Sequence, residues 1–418
     1  MISLNKKLNA QEEWLKVKTY LDKINESLPH FPCRLIIIPR HEIISSRVIT
    51  ELQKNGHQLI IKPVGLSTEY NIFNQVLKEE ELEIFSLNSD KSREGEWDIA
   101  LYTSGSTGKP KLYGYTTPQI EKTLSWYKEI YRIDDNTVII STLPLSYNFT
   151  FIAGLKLSQY CDINYCNFAD HRDLITALST PPFRKQKVIL LANPIFLNEI
   201  AKNFEELPEN TLVDSGGAPL SKSALQWFRS KNIDVREGYG LTETCSLTHF
   251  DKEGNEKSIG SVGHGMPGVE TSLVMKEGKP FIQISSPNIG CELDDKGHTL
   301  RASSRKNLMT SDLGDIDQDG RLTILGRSSD YSINGVWPRQ ILDLISPILG
   351  HRCALVMTPS DHEIIIKSWD LLDQEERNKI SSLLSDTLKI DFKNIQYITT
   401  NVTCHSYKLD RKINVSAG

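Results

Sequence analysis

The run Leu101-Tyr-Thr-Ser-Gly-Ser-Thr-Gly-Lys-Pro-Lys111 concentrates the hydroxyls of Thr103, Ser104, Ser106 and Thr107 around Gly105 and Gly108, with Lys109 and Lys111 at its end. It follows the strand-like stretch Ile99–Tyr102. Glycines let a backbone approach a ligand closely, and exposed amides and hydroxyls after a strand form a cradle for phosphate. A Walker-type loop does not fit. Pro110 stands five residues after Gly105, and Gly108-Lys109 is followed by that proline instead of Ser or Thr. The phosphate chemistry therefore differs from that of a P-loop kinase or GTPase.

Other glycine-bearing runs follow in order. They are Asp214-Ser-Gly-Gly-Ala-Pro-Leu220, Glu237-Gly-Tyr-Gly-Leu-Thr-Glu-Thr244 and Gly260-Ser-Val-Gly-His-Gly-Met-Pro-Gly268. Ser311-Asp-Leu-Gly314, Gly326-Arg327 and Lys408-Leu-Asp-Arg411 complete the series. Taken together and in this order, they resemble the motifs of the adenylate-forming superfamily, which includes acyl- and aryl-CoA synthetases, peptide-synthetase adenylation domains and luciferases. The resemblance spans residues 99 to 412.

The resemblance implies a role for each position. Thr103, Ser104, Gly105, Ser106, Thr107, Gly108 and Lys109 would hold the phosphates of ATP. Tyr239 would stack on adenine, with Gly216, Gly217 and Ala218 leaving room beside the base and Gly240 in the same nucleotide site. Thr242 would contact the α-phosphate, and Glu243 would hold Mg²⁺, a hard cation suited to carboxylate and phosphate oxygens. Asp312 would accept the ribose hydroxyls, with Arg327 also reaching the ribose. Lys408 would bridge the attacking carboxylate and the α-phosphoryl oxygens.

The implied reaction joins a carboxylic acid to ATP, releases pyrophosphate, and passes the acyl group to the thiol of CoA or of a carrier-protein phosphopantetheine arm. Two anions meet in the first step, so catalysis must rest on positioning and positive charge. No side chain is acylated, and Cys245, beside the central motif, is expected to line the substrate pocket without acting as a nucleophile. Gly238, Tyr147 and Asn148 are the other expected pocket residues. The stretch Leu143–Thr150 lacks the aspartate that amino-acid-activating relatives use, which disfavours a free α-amino acid. Tyr147-Asn148 partly resembles the His-Asn pair of aryl-acid activators. Asn148 reads either as a contact to a polar substrate group or as a turn residue after Pro144. An aryl acid is preferred narrowly over an acyl chain.

The elements that must position these residues are legible as alternating patterns. Strand-like runs occur at Leu35–Ile38, Leu59–Ile61, Ile99–Tyr102, Val138–Ser141, Val188–Ala192 and Leu212–Asp214. Helical spacing runs from Thr117, and again from Ser221 to Lys231, where Ser221 suits a cap. This alternation predicts layered α/β subdomains with substantial parallel sheet. Glycine-punctuated short runs after residue 255 predict a β-barrel-like segment. Beyond Trp337-Pro338 the order helix, strand, strand, helix, strand predicts a small, mobile α+β lid. The expected division is a large AMP-binding domain over 1–328 and a C-terminal domain over 331–418 that carries Lys408. Ser329 and Asp330 form the hinge, and Gly335 lines a thiol tunnel. The segment from Ser328 to Trp337 is shorter than the family pattern, and Tyr407 replaces a glycine. An adenylation-only or non-catalytic nucleotide binder is therefore the alternative.

With 418 residues and a formal charge of −5, the chain has no basic excess for nucleic acid. No run reaches the roughly 20 apolar residues of a membrane span. The N-terminus lacks a signal-like apolar segment, and the cysteines are odd in number and scattered. Together these features predict a soluble cytoplasmic protein with free thiols. About 100 residues precede the phosphate loop, fewer than in relatives. A trimmed first subdomain is expected, its exposed edges open to a partner or second protomer.

Overall fold

The computed structural model describes residues 10–29, 32–66, 73–87, 97–103, 110–168, 171–203, 207–302 and 307–399. An eight-stranded mixed sheet is built around three parallel strands, Arg34–Pro39, Gln58–Ile61 and Ile99–Tyr102. Antiparallel strands extend it on both sides: Leu82–Leu87 and Phe73–Lys78 on one, Leu112–Tyr115, Cys291–Leu293 and Thr299–Arg301 on the other. Alternation explains why its central strands are apolar beyond Arg34 and Gln58, which open two of them. Leu35 and Ile37 face the main core, while Ile36 and Ile38 join a second cluster with Trp97 and Tyr102. A strand covered on both faces has no solvated side to mark with polar residues.

A second sheet of seven strands carries the long parallel run. Asn164–Asn167, Thr137–Ser141, Lys187–Ala192, Thr211–Ser215 and Asp234–Tyr239 pair in that order, followed by the short antiparallel strands His249–Phe250 and His264–Gly265. Ile189 and Leu191 point into the main core and Val188 and Leu190 into another. Helix Thr117–Ile130 begins with a capping box between Thr116 and Gln119 and has proline in its first turn. Ser221 caps helix Lys222–Ser230 by accepting from Ala224 N at 3.2 Å, as its sequence position predicts.

The barrel-like segment is an open four-stranded antiparallel sheet: Glu270–Lys276, Lys279–Ser285, Asn307–Ile316 and Leu322–Arg327. Its first hairpin turns on Glu277 and Gly278, both at positive φ, a pairing that matches the twist of the flanking strands. The C-terminal part contains the strands Ala354–Ser360, Glu363–Ser368 and Ile395–Thr399 and the helices Pro338–Leu349 and Gln374–Leu388. One face of this sheet packs Val356, Ile364 and Ile366 on its own helices. The other face sends Leu355, Met357 and Ile365 into a cluster shared with Leu190, Ile200 and Phe228 of the large part. Each such buried aliphatic side chain is worth about 1.5–3 kcal/mol.

Two of the elements that sequence spacing did not mark bear on the packing of the sheets. Helix Ala10–Ser27 buries Val17, Tyr20 and Ile24 on the first sheet. Thr150–Lys156 forms a π-helix in which Gly154 lies against Tyr165; a side chain there would meet the ring at 2.7 Å. No described helix is long and apolar enough to cross a membrane.

Candidate active site

Beyond the carboxyl ends of the parallel strands lies a cleft of about 1180 Å³. This is the usual ligand position in α/β sheets. Strand Thr211–Ser215 ends in Gly216 and Gly217, the latter at φ +88°. Strand Asp234–Tyr239 delivers Gly238, Tyr239 and Gly240 to the same wall. At Gly240 the chain passes so close to the next turn that a Cβ would fall 1.3 Å from Ser246 O, so only glycine fits.

The turn after Gly240 is tight. Thr242–Thr244 is a single 3-10 turn, and Cys245 and Ser246 follow at φ 55° and 84°. Amides of Thr244 and Ser246 both donate to Leu241 O at 3.1 Å, and Tyr115 OH donates to Thr242 O. The turn aims Thr242 and Glu243 into the cleft. Burial pushes the Glu243 carboxyl up, so a cation beside it would relieve the desolvation. Cys245 is turned the other way. It sits at 0% exposure in the main core and is absent from the cleft wall, with its thiol pushed up to about 12 by burial.

Opposite stands Asp312, buried on strand Asn307–Ile316. Arg327 is its register partner on the adjacent strand, with Nη1 2.8 Å from Asp312 Oδ1. Tyr239 OH donates to Asp312 Oδ2 at 2.8 Å. A phenol, a carboxylate and a guanidinium thus converge from three separate sequence motifs. Behind Tyr239, His249 lies between Thr248 and Thr271, its ring pushed down to about 3 by burial and so neutral.

Thr103 and Lys111 close the base of the phosphate-loop motif, with Thr103 N donating to Lys111 O at 2.7 Å and Lys111 N to Thr103 Oγ1 at 2.9 Å. Ser104, Gly105, Ser106, Thr107, Gly108 and Lys109 lie outside the described residues, as does Lys408. Tyr147, Asn148 and Ala218 line the cleft. Of the expected hinge residues, Ser329 is exposed, whereas Asp330 is buried and accepts from Arg327 N at 2.7 Å. Gly335 sits in an exposed turn away from the cleft wall.

Two cleft features carry no signal in sequence spacing. Arg339, at the start of helix Pro338–Leu349, places Nη1 3.6 Å from Glu237 Oε1, and both side chains are buried. Asp214 is also buried, and Tyr131 donates to it.

A family model described as AMP-binding enzyme matches residues 20–287. The chain belongs to the AMP-binding enzyme family. Among curated relatives of this AMP-binding enzyme, the long-chain-fatty-acid–CoA ligase of Mycobacterium tuberculosis is 26% identical over 275 residues, 60% of this chain and 52% of that protein. The 2-succinylbenzoate–CoA ligase of Bacillus subtilis is 26% identical over 255 residues, covering 58% and 51%. The chain thus matches about half the length of these relatives. Among solved structures, the O-succinylbenzoate coenzyme A synthetase of Bacillus subtilis in complex with AMP gives a TM-score of 0.69 at 18% identity, covering 99% of this chain and 94% of that one. ATP-bound MatB from Rhodopseudomonas palustris gives 0.68 at 17%, covering 93% and 89%. These likenesses carry the fold of the AMP-binding enzyme. The roles of its side chains rest on their own geometry.

Proposed function

We propose that this AMP-binding enzyme activates a carboxylic acid, aryl or acyl but not a free α-amino acid, and passes it to a thiol. A carboxylate oxygen attacks the α-phosphorus of ATP, the bond to the β-phosphate oxygen breaks, and pyrophosphate leaves with that electron pair. The thiol of CoA or of a carrier-protein phosphopantetheine then loses its proton and attacks the acyl carbon, and AMP departs. The observation that carries this reading is the convergence of Tyr239, Asp312 and Arg327 in one cleft with Thr242 and Glu243. Asp312 suits ribose hydroxyls, and Tyr239 suits the base beside it.

The relatives' printed activities and the ATP and magnesium complex of the Bacillus subtilis synthetase support the same assignment. Among the described residues, no three His, Cys, Asp or Glu side chains group to hold a metal. A single carboxylate, Glu243, together with nucleotide oxygens suits Mg²⁺, which commonly keeps waters and phosphate ligands. When bound, the ion would offset charge on the phosphates. Glu243 and Thr242 would orient the α-phosphate, the loop from Thr103 to Lys109 would hold the leaving pyrophosphate, and Lys408 would bring positive charge to the attacking carboxylate. Residues 331–418 would form the lid that delivers Lys408, with 1–328 as the nucleotide-binding body. Thiols at Cys161, Cys166 and Cys353, none of them in a disulfide, fit a reducing cytoplasmic setting.

Acid-dependent exchange of labelled pyrophosphate into ATP tests the first step. No exchange across a broad panel of aryl and acyl acids would remove the proposal. Mass spectrometry with CoA and with phosphopantetheinylated carrier then identifies the acceptor.

One observation favours an enzyme that stops at the adenylate. Leu355, Met357 and Ile365 are buried in the core shared with the large part, so turning the C-terminal part would uncover them. Such an enzyme would show exchange without thioester.

A further inference from the structure

The turn that carries Glu243 into the cleft is held from outside itself. Thr242–Thr244 is one 3-10 turn, a conformation with poor internal hydrogen-bond geometry. Two donors from other elements take its carbonyls. Tyr115 OH donates to Thr242 O, and Gly290 N donates to Glu243 O at 2.9 Å. Cys245 N also reaches Thr242 O at 3.3 Å, a bond within the turn region.

Both outside donors belong to one corner of the first sheet. Tyr115 ends strand Leu112–Tyr115, and Lys111, just before that strand, is bonded to Thr103 at the base of the phosphate loop. Gly290 precedes strand Cys291–Leu293, in which Cys291 pairs with Gly114. This register sets Gly290 against Tyr115. A Cβ at Gly290 would lie 2.6 Å from Tyr115 Cε1 and 2.8 Å from Gly114 O, so glycine lets the amide reach Glu243 O while the ring keeps its place. The Tyr115 side chain is wholly buried in the main core, where a phenylalanine would fill the same space. Burial pushes its phenol well above the ordinary value of 10, so the hydroxyl remains a protonated donor. One short strand therefore meets the phosphate loop at one end and the Glu243 turn at the other.

We propose that Tyr115 is a positioning residue for the metal–nucleotide complex. Its hydroxyl, together with the Gly290 amide, fixes the Thr242–Glu243 peptide so that Glu243 and Thr242 meet Mg²⁺ and the α-phosphate of the nucleotide held by the loop. This rests on the reading of Glu243 as the metal-holding carboxylate. Mg²⁺ demands near-ideal octahedral geometry, so a small rotation of this peptide affects the ion first. The base and ribose, assigned to Tyr239 and Asp312 on other strands, are affected less.

The test is calorimetry on the full chain with α,β-methylene-ATP, which cannot release pyrophosphate, in Mg²⁺ and in EDTA. The wild type should bind more tightly with Mg²⁺. Tyr115→Phe removes the hydroxyl and keeps the ring. Cys245 N still serves Thr242 O, so the loss is that of one hydrogen bond. The gain from Mg²⁺ should fall by about 3–10-fold, with affinity in EDTA unchanged. Gly290→Ala, which leaves the hydroxyl in place and displaces the contact, should show the same metal-specific loss and carries the test should Tyr115→Phe fail to fold. In pyrophosphate exchange, the Mg²⁺ concentration for half-maximal rate should rise by the same factor, with KM for the acid unchanged. Equal weakening in Mg²⁺ and in EDTA is the signature of a merely structural role and would overturn the assignment, as would an undiminished Mg²⁺ gain in both variants. A wild type with no Mg²⁺ gain would overturn the reading of Glu243 and this assignment with it.

Discussion

Arg327 Nη1 stands 2.8 Å from Asp312 Oδ1 across two adjacent strands. Tyr239 holds the second carboxylate oxygen at 2.8 Å, so the group is oriented from both sides. Replacing Asp312 with Ala removes the acceptor proposed for ribose and leaves a guanidinium and a phenol facing each other. Hydrogen bonds to charged groups are worth about 1.5–3 kcal/mol. KM for ATP in the exchange assay should therefore rise by about 10–100-fold, and AMP should no longer raise the thermal midpoint. Arg327→Ala should cost less, because Tyr239 still orients the carboxylate.

Asp214 gives the protein a pH dependence of known sign. Burial pushes its carboxyl up to about 7 in the folded protein, from an ordinary value of 3.8. Between those values the folded state holds the extra proton, so this group's contribution to stability declines as pH rises from about 4 to 7. His249 acts in the opposite direction, since its folded value is about 3 and the unfolded chain binds the proton first. The difference between wild type and Asp214→Asn isolates the carboxylate. The variant should melt higher than wild type at pH 8, and the gap should close towards pH 4. Thermal melts across that range, with equal gaps at both ends, would refute the assignment.

Glu237 and Arg339 join the large part to the C-terminal helix, and both are nearly dry. Burial pushes the Glu237 carboxyl up, while the guanidinium of Arg339 pulls it back. Removing one partner strands the other charge, at about 3–5 kcal/mol. Arg339→Met should therefore destabilise strongly, and pairing it with Glu237→Gln should restore much of the loss. A double-mutant cycle by chemical denaturation measures this coupling. Two additive single effects would show that the charges do not depend on each other.

Lys408 is the cation proposed for the adenylation step. Lys408→Ala should reduce pyrophosphate exchange by about 10²–10³-fold, the usual effect of losing a preorganised charge. Thioester formation from supplied acyl-adenylate should largely survive, because that step no longer joins two anions. Equal losses in the two half-reactions would contradict a role confined to adenylation.

Local rules wrote much of this protein into its sequence. Gly217 and Gly240 stand where a positive φ or a backbone approach favours glycine, and the glycine motifs around them meet on the wall of one cleft. Ser221 caps its helix because a hydroxyl beside free amides needs no distant partner. The C-terminal order of helix, strand, strand, helix and strand likewise follows the sequence pattern. Tertiary structure decided the rest. Cys245 adjoins a cleft motif, but its left-handed turn sends the thiol into the core. Asp330 sits at the expected hinge, yet its carboxylate is tied to Arg327 N. Asp214 meets Tyr131 and Glu237 meets Arg339 only because sheet order and domain packing bring distant segments together. Periodicity records which face of an element is buried, whereas the cost of a buried charge depends on the group that arrives opposite it.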